Sequence, residues 1–415
     1  MTYKTTTLDT FVTLQRGYDL PAQDRIPGVI PIIAANGQVG FHDVAKVNAQ
    51  CVVLGRSGSV GNPQLISEPF WPLNTTLFVK DFHGNSPTFV YYVLKTIDFK
   101  SFDAGGTVPT LNRNHLTQIE VPLLDLAHQE AISGVLQNLD AKIAANNALS
   151  KTLEDIAQTI FKSWFIDFNP VKAKMAGEKP KGMDAATAKL FPDSMEDSEI
   201  GLIPKGWQVK SLFDCGLEIE SGSRPKGGVK GITSGVPSIG AESINGLGVF
   251  DFSKTKYVPR DFYEKMNKGK PRDFDVLLYK DGGKPGEFKP RVGMYGLGFP
   301  FNEFAINEHV FILRAPELGN PYLYFWIRLE RTLDVLRSRG IKAAIPGINQ
   351  QDVGTILTVK PSQEILKSFN QLVFPSISKI LTLGTESLML MTLRDTLMPR
   401  LISGELQIPK EMLAS

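Results

Sequence analysis

Residues 126–168 read LAHQEAISGVLQNLDAKIAANNALSKTLEDIAQTIFKSWFIDF, and their apolar positions decide the fold. Ile132, Leu136, Leu139, Ile143, Leu153, Ala157, Ile160 and Trp164 keep one alternating four-three spacing, with Asn146 and Ser150 at its two polar positions. A 3.5-residue apolar repeat held this far predicts a helix that packs along another helix. About 40 residues rising 1.5 Å each would span roughly 60 Å. Pro170 cannot continue it, and Asn169 before it is pushed out of the helical region.

A second seam lies near the C-terminus: Phe369, Val373, Ile380, Leu383, Leu390, Leu397 and Leu401. Ser362 is its candidate N-cap, with Glu364 in the first turn. Pro375 and Pro399 are expected to kink or interrupt this helix, and Gly384 to weaken it. The alternative is that each helix belongs only to the core of its own domain. Forty residues exceed what a compact domain of this size needs, which favours a helix pair.

Working outward, the segments before the two helices are written twice. LDTFVTLQRG (8–17) is matched by SLFDCGLEIESG (211–222), and VIPIIAANG (29–37) by GVPSIGAESING (235–246). CVVLGRSGSVG (51–61) corresponds to DVLLYKDGGKPG (275–286), each a β-branched or leucine-rich run entering a glycine loop. An asparagine precedes an apolar strand in NTTLFVK (74–80) and NEHVFIL (307–313). Aromatic clusters follow in PTFVYYVLK (87–95) and NPYLYFWIR (320–328), then GTVPTLNRNHL (106–116) and AAIPGINQQDV (343–353). Six pairs in the same order, with a period of roughly 200 residues, mean a duplicated domain and not a solenoid of small units.

Residues 169–206 between the halves are polar, proline-punctuated and of mixed charge, with one short helical candidate at 184–190. A linker of this length lets the second half fold back, so that the helices lie antiparallel. The expected fold is α+β: two similar mixed α/β domains separated by two long, antiparallel, coiled-coil-like helices in a pseudo-two-fold repeat. The division is 1–122, first domain; 123–168, first helix; 169–206, linker; 207–360, second domain; 361–404, second helix; 405–415, tail.

The 415 residues exceed one ordinary domain, and an apolar share of 42% supplies substantial cores. Cys51 and Cys215 are the only cysteines, which points to a reducing compartment and leaves too few ligands for a structural zinc site. The N-terminus has no apolar run of the secretory kind, and no stretch nears the ~18 apolar residues of a membrane span. A soluble, cytoplasmic protein without a membrane partner is expected.

Catalytic patterns are not formed. Gly55-Arg56-Ser57-Gly58-Ser59-Val60-Gly61 has the glycines of a phosphate loop but lacks its lysine and hydroxyl neighbour. Phe168-Asn169-Pro170-Val171 lacks the second proline and the aromatic with which an aminomethyltransferase grips a flipped base. No glycine-rich strand-to-helix fingerprint for a nucleotide cofactor occurs. The best enzymatic alternative is a metal-dependent nuclease using Asp275, Glu287 and Lys289, although Glu287 follows a glycine loop where that pattern wants a strand. The five histidines show no ligand spacing, and His128 at a helix start reads as a capping or surface residue.

Net charge is only +2, from 45 basic and 43 acidic residues, so a nucleic-acid role must rest on local features. Residues 254–291 form the one locally basic stretch, interleaved with aromatics. Its lysines and arginines would displace counterions from phosphates, and its glycine loops admit close backbone approach. A solvated charged face is the competing reading. The candidate DNA contacts are Arg56, Ser57, Ser59, Thr107, Asn112 and Arg113 in the first half. In the second they are Lys280, Lys284, Lys289, Arg291, Lys342 and Asn349.

The helical and linker segments at 126–177, GMDAATAKLFPDSMEDSEIGLIPKGW at 182–207 and TLRDTLMPRLISGEL at 392–406 resemble those of type I restriction–modification specificity subunits. The resemblance covers nearly the whole chain. It implies a non-catalytic subunit of a type I deoxyribonuclease and adenine methyltransferase complex. Each domain would be a target recognition domain for one half of a bipartite, asymmetric site in double-stranded DNA. The paired helices would set the spacer and dock two methyltransferase subunits. S-adenosylmethionine, ATP and Mg would belong to partner subunits, the methyltransferases and the translocase/nucleases, with no cofactor in this chain. Half-sites one helical turn apart, about 34–36 Å, suit an antiparallel helix pair. A coiled-coil scaffold without DNA affinity is the other alternative.

Overall fold

The computed structural model describes residues 3–48, 50–102, 110–341 and 346–413. The run CVVLG forms the strand Cys51–Gly55, buried along its whole length. It lies inside a four-stranded antiparallel sheet ordered Thr13–Arg16, Thr76–Asp81, Cys51–Gly55, Gly61–Ile66. A three-stranded sheet accompanies it, with Ile30–Ala34 between antiparallel Gly37–His42 and parallel Trp71–Pro72.

The second half repeats this topology strand for strand. Its four-stranded sheet is ordered Glu218–Ser221, Val310–Arg314, Val276–Tyr279, Val292–Met294. Its three-stranded sheet sets Val236–Ile239 between antiparallel Lys256–Val258 and parallel Ala305–Ile306. A closing pair also recurs: Thr5–Thr7 on Glu120–Pro122, and Gln208–Ser211 on Leu357–Lys360. Gly17 and Gly222 end equivalent strands for one reason: a Cβ there would lie 2.1 Å from the Leu73 carbonyl oxygen and 2.0 Å from that of Ile306. The aromatic clusters become the helices Pro87–Lys95 and Asn320–Ile327, each with proline in the first turn, where its missing N–H costs nothing.

The two long helices run Leu126–Phe165 and Gln363–Ser403. The second is continuous through Pro375, Gly384 and Pro399, against the expectation of an interruption. Gly384 has a packing reason, since a Cβ would sit 2.8 Å from a Phe299 ring carbon. Ser362 is placed as an N-cap, its hydroxyl 3.4 Å from the Ile365 N–H.

The chain forms two compact units, Met1–Ile143 with Met389–Ser415, and Ala144–Leu388. This partition cuts across the division read from the sequence, because each unit takes part of both long helices. In the first unit Ile132 and Leu136 share a core with Met398, Leu401 and Ile402, so the start of one helix packs on the end of the other. Leu139 is half-buried and Ile143 buried.

In the second unit the end of the first helix meets the start of the second. The rings of Phe161, Trp164 and Phe165 lie 5.8, 6.0 and 5.0 Å from that of Phe369. Ala157, Val373, Ile377, Ile380 and Leu381 are buried in the same core, and Leu383 is also buried. Leu153 and Ile160 are only half-buried against that core. Among the other seam residues, Leu390 and Leu397 in the first unit are half-buried. Phe161, Phe165, Met398 and Ile402 were outside the seam read from the sequence, yet carry much of the packing. A strict 3.5-residue seam is narrower than the stripe a helix buries when sheets as well as a second helix cover it.

The linker is packed. Asp184 caps Ala185–Leu190, its carboxylate accepting from the N–H groups of Ala186 and Thr187 at 2.9 and 2.8 Å. A further helix, Asn169–Met175, places Pro170 in its first turn. Phe191 docks edge-on against Trp164 at 5.1 Å and reaches Trp207 at 6.3 Å. No helix among the described residues is long and apolar enough to cross a membrane.

Candidate nucleic-acid interface

In each half, three loops converge at the end of the buried central strand. In the first, the Arg56 N–H donates to the Thr75 carbonyl at 2.8 Å, and the Leu111 N–H donates to the Arg56 carbonyl at 2.8 Å. Ser57 and Thr110 form a bridge beside them, and the Ala35 N–H at the hairpin turn donates to Thr75 Oγ1 at 3.4 Å. Arg56, Ser57 and Asn112 are thereby brought to one place. Asn112 caps the short turn Arg113–His115, accepting from the Asn114 N–H at 3.0 Å. Ser59 sits exposed at the loop tip, and Arg113 is exposed beside Asp9 and Asn114 along an open cavity of about 270 Å³. Thr107 lies outside the described residues.

The second half builds the same junction. The Lys280 N–H donates to the His309 carbonyl at 2.9 Å, and the Ile348 N–H donates to the Lys280 carbonyl at 2.7 Å. Asp281 bridges to Gly347, and Asn349 caps Gln350–Gly354 in a reciprocal box with Asp352. Lys280 is therefore the counterpart of Arg56, Asp281 of Ser57, His309 of Thr75 and Asn349 of Asn112. Lys280 Nζ reaches Ser221 Oγ at 3.2 Å and lies 5.3 Å from the centre of the Phe311 ring. Lys284, Lys289 and Arg291 line a neighbouring concavity of about 320 Å³ with Tyr279, Gly282 and Gly283. Lys342 lies outside the described residues.

Much of the basic stretch is matched by acids. Lys254 pairs with Asp251, Lys256 with Glu242, Arg260 with Glu303, Lys265 with Asp261 and Lys289 with Glu287. Lys280 in turn lies 3.7 Å from Asp281. Burial opposes ionisation of Glu242, but the bond from Lys256, its own backbone N–H and the nearby charges of Lys256 and His309 together outweigh it and hold the carboxyl below the usual range.

The nuclease constellation does not assemble. Asp275 is buried at the start of the strand Val276–Tyr279 and bonded by Arg314, whose Nε donates to Oδ1 at 2.7 Å. Arg314 also pairs with Glu220, and the Arg272 N–H donates to Asp275 Oδ2 at 2.8 Å. Glu287 lies beyond the other end of that strand, paired with Lys289 at 2.5 Å. A metal ion cannot share two carboxylates held at opposite ends of a strand of four residues, about 13 Å long. Among the described residues no group of three or more His, Cys, Asp or Glu side chains stands where it could hold a metal. His128 is engaged at the helix start, its N–H and Nδ1 bonding Asp125 Oδ1 at 2.9 and 2.8 Å.

Sequence reasoning missed Thr75, Asp281 and His309. The duplication held the signal, but matching Asn74 to Asn307 set this segment one residue out. The sheets pair Gln15 with Phe78 and Glu220 with Ile312, which makes Asn74 equivalent to Glu308 and Thr75 equivalent to His309 in the repeat.

Residues 2–155 match the family described as type I restriction modification DNA specificity domain. The type I restriction enzyme MjaIX specificity subunit of Methanocaldococcus jannaschii is 26% identical over 77% of this chain and 69% of its own length. The HindI specificity subunit of Haemophilus influenzae is 25% identical over 72% of each chain. The crystal structure of a type I restriction–modification system S subunit from M. genitalium shares the fold, with a TM-score of 0.58 at 16% identity over 98% of this chain and 97% of that one. In sequence and in fold, this chain is similar to the type I restriction–modification specificity subunits.

Proposed function

We propose that this chain is the DNA-reading subunit of a type I complex, and that each of its two domains reads one half of a bipartite, asymmetric site in double-stranded DNA. The observation that carries the reading is the duplicated junction: one backbone scaffold built twice, presenting Arg56, Ser57 and Asn112 in one domain and Lys280, Asp281 and Asn349 in the other. The same scaffold with different side chains suits two half-sites that differ. Arg56, Lys280, Lys284 and Arg291 engage phosphates or base edges, and the shorter polar side chains discriminate bases. The long helices set the unspecified spacer and dock two methyltransferase subunits. Those subunits carry S-adenosylmethionine, while ATP and Mg serve separate translocase/nuclease subunits, all in the cytoplasm. This chain makes and breaks no covalent bond.

Sequencing methylated adenines in a host with and without the gene tests the reading. The expected result is loss of one bipartite motif when the gene is removed. An unchanged methylome, or cleavage or methylation of DNA by the purified chain alone, overturns it.

A further inference from the structure

The two domains differ sharply at one equivalent position: the second has a carboxylate, Asp281, where the first has the hydroxyl of Ser57. Asp281 sits between Lys280 and the Gly282-Gly283 turn, whose glycines line a concavity with Lys284, Lys289 and Arg291. A carboxylate facing DNA phosphates would be repelled, and it can only accept hydrogen bonds. In the major groove the donors available to it are the amino groups of cytosine N4 and adenine N6.

Among the described residues, its surroundings leave that capacity open. The His309 Nδ1–H donates to Asp281 Oδ1 and fixes the carboxylate from the side. Oδ2 has the Lys280 ammonium only at 3.7 Å, beyond hydrogen-bond reach. The two carboxylates that line the neighbouring concavity, Glu242 and Glu287, are each closely matched by a lysine. About a third of the Asp281 side chain is exposed.

Resting on the DNA-reading function proposed above, we infer that Asp281 is a base-reading acceptor of the second domain, positioned by His309, and demands an amino-bearing base at one position of that domain's half-site. Ser57, which both donates and accepts, makes no such demand at the equivalent position of the first domain.

The test maps adenine methylation by the assembled complex carrying the parent chain, Asp281→Ala, Asp281→Asn, His309→Gln or Lys280→Ala. With Asp281→Ala, one adenine or cytosine position of one half-site should become degenerate, discrimination there falling on the order of 10- to 100-fold. His309→Gln should relax the same position less. Lys280→Ala, which removes a positive charge, should lower methylation at all sites alike. Asp281→Asn keeps the size of the side chain and carries the test if the alanine variant fails to assemble; its amide should shift the preference at that one position towards adenine. An unaltered motif with Asp281→Ala, or a uniform loss at every site with either Asp281 variant, means that Asp281 only orders its loop. A parent complex with no motif dependent on this chain removes the DNA-reading function itself, and this inference with it.

Discussion

Arg394 on the second long helix donates to Asp140 on the first at 2.5 Å, and Tyr92 of the first domain donates to the other Asp140 oxygen at 2.7 Å. One carboxylate thus joins the domain's aromatic helix to both long helices within the first unit. In the second unit Glu154 has a comparable place, accepting from Tyr324 at 2.8 Å and pairing with Arg328. Each domain is held to the first long helix by a partly buried polar clasp as well as by apolar packing.

Asp140→Ala should lower the stability of the first unit by about 1–2 kcal/mol, since it leaves the Tyr92 hydroxyl and a largely buried guanidinium short of partners. The double variant with Arg394→Met should cost less than the sum of the two single changes. Chemical denaturation of the three variants checks this, and strict additivity would show that the two groups do not interact.

Gly384→Ala sets two effects against each other. Alanine gains about 1 kcal/mol over glycine in a helix interior. Its methyl, however, would lie 2.8 Å from Phe299 and 3.2 Å from the Gly248 carbonyl oxygen, and overpacking of this kind costs about 1–3 kcal/mol. The net expectation is destabilisation. A raised melting temperature would show that Phe299 moves aside freely.

Acid should weaken the second unit through Glu220. Burial opposes its charge, but the Gly269 N–H and the Arg314 guanidinium outweigh burial and hold its carboxyl below the usual range. A depressed folded-state pKa gives stability that is present above the unfolded value, about 4.3, and is lost as pH falls through the folded one. Glu220→Gln should flatten that part of the stability-versus-pH curve while lowering stability near neutrality. Parallel parent and variant curves below pH 5 would contradict it.

The long helices and the duplicated domains were legible because they rest on periodicity and on the order of local signals. Continuity through Pro375 was not, because proline's propensity argues for a break and only packing of residues such as Val373, Ile377 and Ile380 overrides it. Phe161 and Phe165 lay off the 3.5-residue seam, and their burial depends on Tyr322 and Trp326, far along the chain. The candidate interface was half legible. Arg56, Lys280 and the capping asparagines followed from the duplicated motifs, whereas His309 needed the strand register to bring it beside Asp281. Three acidic partners of the basic stretch, Asp251, Glu242 and Glu303, lie outside residues 254–291.

Inserting four residues near Asn146 adds about one helical turn, ~6 Å, to the first long helix. The unspecified spacer should lengthen while both half-sites keep their bases, because the loop junctions are untouched. Motif analysis of methylated DNA reads both quantities at once, and a change in the specified bases would count against the helices as spacers.

The most direct measurement exchanges residues 1–122, and separately 207–360, for the equivalent segment of a related subunit and then sequences the methylated sites. If the two domains are independent readers, each exchange changes one half-site and leaves the other half and the spacer as they were. A single exchange that alters both halves, or neither, would contradict the division of recognition between the two domains.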